Sequence, residues 1–463
     1  MKIKGKMCLA LVIGFLGLAV PGLDAAEIKV KCDKGQSVQS ALDSLLTGPT
    51  IIVVTGTCYE NIDIRKDDVT IQGGAFVGPD PEQTAIYVEG ARRVFIKGAT
   101  VGGAGNGVGS YQGASVSVEN STIQGNAKVG IVANFGSSVI VNSSTIQDNN
   151  QHGVLVNDNS ALFLTNCTIA ANGSAGVLVQ RASSARIGRS MGGVLGRNTI
   201  TNNGGPGVNV CWSAYALIDG NTITTNSGTG INIEGASATV TNNTIQGNKK
   251  KGIVVSSAGN ARIGITEGNQ TGRNIIENNV YEGIESSNSG SAYIWANTIQ
   301  YNGLTTYRPG VSINRATGRL IGDNTIQANG GHGVAVNLGA LFQGGGDLDL
   351  TAGDDLITGN GYSGIFGWNG ASLDIRHATV EGNNESGIVL NLRSTLRIYD
   401  STVRGPIYGI AVYEGSAVSF KHPPETNAAI VESTTGPGLY CDDPESSYIG
   451  DTSRVRGLVC TPF

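Results

Sequence analysis

Tyr307 and Arg308 are neighbours in the sequence, with Glu285 upstream and Arg315 downstream, and no other grouping in the chain offers as much chemistry. A tyrosine or basic group can move a proton beside a substrate carboxylate, and arginines can neutralise that carboxylate as charge develops. The competing use of the same residues is structural, as an ion pair between Glu285 and either arginine. Trp212, Trp368 and Tyr413 add rings with a polar edge, the kind of platform on which a flat-faced ligand stacks. Glu234 pairs with Glu285 as a second set of carboxylates, and with these rings it completes the expected binding surface.

Metal chemistry has less to draw on. Four His and three Met do not supply a copper site. Asp347, Asp349, Asp354 and Asp355 crowd the segment GGGDLDLTAGDD, whose carboxylates could hold calcium. No other cofactor is indicated, because the chain has no Gly-x-Ser-x-Gly elbow and no nucleotide-binding glycine loop in a helical context.

The elements that must position these residues follow from one motif, I-x-x-N-x-x-x-G-[IV]-x-[VIL], which recurs from about Ile123 to Ile410 with a period of 22 or 23 residues. Its glycine marks the register at Gly107, Gly130, Gly153, Gly176, Gly207, Gly230, Gly252, Gly283, Gly310, Gly333, Gly364, Gly387 and Gly409. The following residue is always Ile or Val, a one-sided stack that can be buried only between repeats. Each period holds three short β-branched runs and no helical stripe, as in 153–156, 161–164 and 168–169. Three strands per coil predict an all-β, single-stranded parallel β-helix, with the marked coils forming a rod of about 60 Å at the parallel-strand spacing.

Asparagine stands three residues after the motif isoleucine in coil after coil, from Asn126 to Asn383, and a second column runs from Asn198 to Asn324, with Ser121, Ser144, Cys167 and Asp355 filling the same place. Asparagine tolerates sharp turns and its amide can bond the same amide on adjacent coils, so both columns read as ladders. Three periods of 31 residues insert segments near 181–197, 256–273 and 339–356, expected as ridges on a common side. The 27-residue period places its extra residues between Asn302 and Gly310, which should make Tyr307 and Arg308 overhang the outer face beside Glu285 and Arg315.

Residues 1–25 have the layout of a cleavable signal peptide, with Lys2, Lys4 and Lys6, an apolar run from Met7 to Leu23, and Ala25-Ala26. A secreted, periplasmic or cell-surface protein without a membrane span in its mature form follows. Removing that segment changes the formal charge from −5 to 28 − 35 = −7, which discourages nucleic-acid binding. Cys32 with Cys58 and Cys441 with Cys460 are expected as disulfides near the two ends, leaving Cys167 and Cys211 as thiols; Cys211 is expected past the end of a first strand. Val38, Ala41, Leu42 and Leu45 predict a short amphipathic helix across the first coil. The expected organisation is 26–100 for the N-terminal cap and first coils, 101–415 for regular repeats and 416–463 for the C-terminal cap.

This helix and the stretch GPTIIVVTGTCYENIDIRKDDVTIQGG resemble the opening of secreted right-handed β-helix proteins of the pectin-lyase-like group. The resemblance covers nearly the whole mature chain and implies the fold, whereas the group includes lyases, hydrolases, esterases, epimerases, adhesins and an accessory protein of a copper reductase. Fragments of a polygalacturonase set are present as Asp354-Asp355, Gly331-His332-Gly333 and Arg186-Ile187 or Arg262-Ile263, but in the wrong chain order. His332 occupies the slot before a register glycine, which also holds His152, Lys251 and Glu282 and reads as a freely varying turn position. His152 and His332 are about 34 Å apart along the rod and cannot share a ligand. The resemblance implies a polysaccharide partner, recognised by a binding or structural protein or, alternatively, acted on by a lyase or epimerase of acidic glycans.

Overall fold

The computed structural model describes residues 25–45, 48–190, 192–266, 270–345, 353–421 and 426–462. The signal-like segment, apart from Ala25, lies outside them. Each coil gives one short strand to each of three parallel sheets, here called the first-, second- and third-strand sheets by their order after the register glycine. The coil of Gly153 shows the pattern, with strands Val154–Val156, Ala161–Thr165 and Thr168–Ala170. Val154 faces Val177 of the next coil, Leu155 faces Leu178, and Val156 faces Val179. The second- and third-strand sheets contain 19 and 16 strands. Among the described residues no helix is long and apolar enough to cross a membrane.

The residue after each register glycine points into the rod, and Val108, Ile131, Ile231 and Ile410 are completely buried. The glycine before it is required by closeness of backbones: a Cβ on Gly130 would lie 2.6 Å from the carbonyl oxygen of Gly153. Both asparagine ladders form. Asn126 Nδ2 donates to Asn149 Oδ1 at 2.7 Å, Asn149 Nδ2 donates to Asn172 Oδ1 at 2.9 Å, and the backbone N–H of Asn126 donates to the same Asn149 oxygen at 3.2 Å. In the second ladder Asn198 Nδ2 donates to Asn221 Oδ1 at 2.9 Å, and Asn324 Nδ2 ends the run on Asp355 Oδ1 at 2.8 Å. Buried amides are thus satisfied by the same residue type one coil away.

Helix Val38–Ser44 covers the first coil with Val38 and Leu42 buried. Ser37 caps it by accepting from Ser40 N at 3.1 Å, and the Glu60 carboxylate accepts from Val38 N at 2.7 Å and Ser37 Oγ at 2.7 Å. Lys66 Nζ donates to the Leu42 carbonyl at 2.9 Å, so an anion meets one helix end and a cation the other, as the helix dipole favours. Cys32–Cys58 and Cys441–Cys460 are disulfides, and Cys167 and Cys211 are buried thiols. Cys211 is the last residue of strand Val208–Cys211, not a residue beyond it. Outward-facing Leu178 gives its sulfur an apolar patch to pack on.

The long coils differ from their neighbours at one turn. Their extra residues lie between second and third strands, after Ile187, Ile263 and Gly344, and the three coils are three steps apart. Two of these segments are tied across their bases by antiparallel bridges, Arg189 to Leu195 and Ile265 to Thr271. Ile265 packs on buried Trp295 and Ile321, and Arg189 pairs with buried Asp219. All three insertions thus enter at the same turn, but the described parts of the first two lie against the rod and do not project as ridges, and residues 346–352 of the third lie outside the described residues.

Candidate functional site

The turn slot before the register glycine, which reads as freely varying in the sequence, forms a half-buried shoulder along the first-strand sheet. Lys251, Glu282 and His332 all occupy it. Glu282 is buried, and Lys251 Nζ lies 3.8 Å from its Oε2 while Arg308 Nη1 lies 3.9 Å from its Oε1. Lys251 also bonds Glu285, which faces outward from strand Ile284–Ser287 between Val254 and Ser312 on adjacent coils. Oε2 of Glu282 accepts no hydrogen bond among the described residues. Burial pushes the Glu282 pKa up, and Lys251 and Arg308 only partly oppose that shift.

Arg308 reaches Glu282 because the four-residue insertion folds back on itself. Thr306 Oγ1 donates to the Val280 carbonyl at 2.6 Å, and Arg308 N donates to the Gly303 carbonyl at 3.3 Å. Gly303 has φ +64°, and a side chain there would meet the Arg308 carbonyl at 2.6 Å. Tyr307 stands 66% exposed, with its ring 6.2 Å from that of Tyr362 and the two planes 21° apart. His332 continues the row from Tyr362, 5.4 Å from it and stacked on Phe366 at 4.6 Å. Its burial pushes the imidazole pKa down to about 4, so it is neutral at neutral pH and serves as an aromatic support. From Lys251 to Phe366 the shoulder spans the coils of Gly252 to Gly364, about 19 Å at the parallel-strand spacing.

The structure links Glu285 to Arg308 only through Lys251 and Glu282, with Arg308 directed at Glu282 and not at Glu285, while the Tyr307 ring meets Tyr362. Arg315 is not part of the cluster. It begins the turn after strand Val311–Asn314, at the opposite edge of the sheet, and its N–H donates to the Asn337 carbonyl at 3.2 Å. Trp212, Glu234, Trp368 and Tyr413 lie at that far edge as well. Trp212 is 55% exposed, but the Arg181 guanidinium covers one ring face at 5.5 Å and is itself 3.6 Å from Asp158. Trp368 is half-buried between Asn337 and Asn391 on adjacent coils. Tyr413 meets Tyr440 edge-on at 6.2 Å, and Tyr440 stacks on Tyr408 at 4.5 Å. Glu234 is an exposed strand end paired with Cys211 and Ser256, and remains two coils from Glu285.

Asp355 is occupied inside the rod. Its Oδ1 accepts from Asn324, its Oδ2 accepts from Gly345 N at 3.2 Å, and complete burial pushes its pKa up to about 7. Asp354 is exposed and 4.0 Å from His377, and Asp347 and Asp349 lie outside the described residues. Among the described residues the grouping with metal-ligand spacing is Cys32, Cys58 and Glu60, where the sulfurs are already joined and Glu60 caps the helix. Glu282, His332 and Tyr362 were missed as site residues. For Glu282 and His332 the sequence signal is their shared slot before the register glycine, whereas Tyr362, one residue ahead of that slot, carries none.

A family model described as a right handed beta helix region matches residues 50–190, 182–269 and 230–423, and the chain belongs to that family. Among solved structures, a pectate lyase is 14% identical, with 72% of this chain and 79% of that one covered and a TM-score of 0.34. The A-module of a mannuronan C-5 epimerase from Azotobacter vinelandii is 14% identical over 89% of this chain and 95% of that one, with a TM-score of 0.28. The tailspike of E. coli bacteriophage HK620, solved with a pentasaccharide, is 11% identical over 87% of this chain and 76% of that one, with a TM-score of 0.35. No curated protein sequence matches the chain.

Proposed function

We propose that this is an exported β-helix protein that recognises polysaccharide at or outside the cell envelope, with an extended glycan lying along the shoulder from Lys251 to Phe366. The observation that carries the reading is the exposed Tyr307 ring, aligned with Tyr362 and next in sequence to Arg308, whose guanidinium joins the Glu282, Lys251 and Glu285 charges on the same shoulder. Sugars stack on rings and bond to adjacent charged groups, and a solenoid shoulder presents both in a line. Export is supported by the two disulfides, which persist in oxidising compartments.

A second reading, proton transfer on an acidic glycan by a lyase or epimerase, is favoured by one feature. Glu282 is a buried carboxyl with a raised pKa, one unbonded oxygen and two cations beside it, a setting suited to moving a proton near a substrate carboxylate. A glycan array followed by product analysis of each ligand separates the two. Binding with unchanged glycan supports recognition alone; unsaturated uronates or altered epimer ratios support catalysis. Tyr307→Ala is expected to weaken acidic glycans, the class the shoulder's cations suit, and unchanged binding of those glycans by that variant would remove the shoulder as the site.

A further inference from the structure

A second ring pair lies about six coils towards the N-terminus from Lys251, on the same sheet, and its construction is different. Tyr87 and Tyr111 stack at 4.8 Å with planes 22° apart. Tyr87 faces Gly109 across the ladder, and a Cβ on Gly109 would lie 2.3 Å from the Tyr111 ring. The absent side chain is what lets Tyr111 fold back along its own strand and lie against Tyr87. The rings form part of the lining of an open cavity of about 540 Å³ that also includes Asn61, Asp63, Glu82 and Phe135. Phe135 is 51% exposed at a turn with φ +53° and supplies a further ring at the cavity.

Its polar groups set the ligand's charge. Asp63 and Glu82 line the cavity, whereas no lysine or arginine does. Arg65 is bound to Asp63 at 2.9 Å and to Glu89, and Lys128 reaches Glu82 at 2.5 Å, so the nearby cations are neutralised. Oδ1 of Asp63 is closed off from solvent and Oδ2 is taken by Arg65, which leaves Glu82 as the lining carboxylate that a ligand can reach. Asn61 Nδ2 is held by the Thr84 carbonyl at 3.0 Å, which fixes the orientation of its amide at the cavity. Rings, fixed amide and an acceptor-rich lining suit a ligand that brings hydroxyl or amino donors and an apolar face, and disfavour a carboxylated one.

We propose that this cavity is a separate carbohydrate subsite for neutral or amino-bearing sugars, distinct in charge preference from the Lys251–Arg308 shoulder. The Tyr87 and Tyr111 rings form the stacking floor, and the exposed Glu82 carboxylate at the rim accepts from the sugar's hydroxyl or amino groups.

The test is calorimetric titration of the full chain with cellotetraose, chitosan tetramer and, as an acidic control, trigalacturonate. At least one of the first two should bind, and Tyr87→Ala should weaken it by about tenfold or more while Tyr87→Trp retains it. Tyr307→Ala should leave that binding unchanged, which separates failure here from failure of the shoulder. Thermal unfolding of each variant checks that the rod is intact. The proposal is overturned if neither oligosaccharide binds wild type, if a folded Tyr87→Ala binds like wild type, or if trigalacturonate competes at this site with equal affinity.

Discussion

Two buried titratable side chains make opposite demands on pH. Asp355 holds its proton up to about pH 7 in the folded chain, against an ordinary unfolded value of about 3.9. Its contribution to stability is therefore complete below about pH 4 and is lost as pH rises to about 7. His332, lowered to about 4 from about 6.5, makes the folded state less stable as pH falls through that window. Urea unfolding across pH 4 to 7 should show Asp355→Asn gaining stability relative to wild type as pH rises, and His332→Phe gaining it as pH falls. Parallel curves for all three proteins would contradict both assignments. Glu282→Gln tests the shoulder: if the site only binds, removing the buried anion should strengthen acidic glycans several-fold, and if it catalyses, turnover should fall by about a hundredfold or more. Asp355 was legible in the sequence because a column of identical neighbours identified its slot. Glu282 was not, since its meaning depends on a loop folding back to bring Arg308 over it, and that contact has no period to reveal it.

Element by element, legibility followed repetition. The strands, both ladders and the capping helix each carry a periodic or local signal, and each stands where the sequence places it. The outer face was harder to read. Taking all outward residues as one stripe merged its two edges, so Arg315 and Arg308 were grouped although about 13 Å of strand separates them. Asn226→Leu should destabilise by about 1 to 3 kcal/mol, because Asn203 Nδ2 loses its acceptor at 2.9 Å and Asn248 Oδ1 loses a donor at 3.0 Å. The inserted segments give a sharper comparison, with Gly193 inside the first and Gly264 at the base of the second. Gly193 and Gly264 both have positive φ, but a Cβ on Gly193 meets nothing within 4 Å, whereas one on Gly264 would lie 1.9 Å from the Trp295 carbonyl. Gly193→Ala should cost about 1 kcal/mol and Gly264→Ala clearly more. Equal shifts in denaturation midpoint would mean the backbone at the base of the insertion gives way freely.

At the scale of the whole molecule, the ends are closed covalently and the middle by stacking. Burial pushes both the Cys167 and Cys211 thiols up to about pKa 11, so alkylation at neutral pH should proceed only with unfolding. After mild reduction, hydrogen exchange should accelerate first near Cys32, Cys58, Cys441 and Cys460 and reach the central coils last, as nearest-neighbour stacking requires. Uniform acceleration along the chain would show that the disulfides restrain the rod globally.

The direction of the asparagine bonds gives the molecule a grammar for growth. Between its ends, where Asn126 Oδ1 has no partner and Asn383 Nδ2 turns to backbone carbonyls, each rung of this column donates to the next rung on the C-terminal side and accepts from the one before it. A copied coil therefore arrives with one matched donor and one matched acceptor, and needs no new end. Tandem duplication of residues 204–226 should lengthen the rod by about 4.8 Å and leave both termini and the shoulder chemistry untouched. In such a molecule, reach is a variable that replication slippage can alter one coil at a time, independently of what the surface recognises.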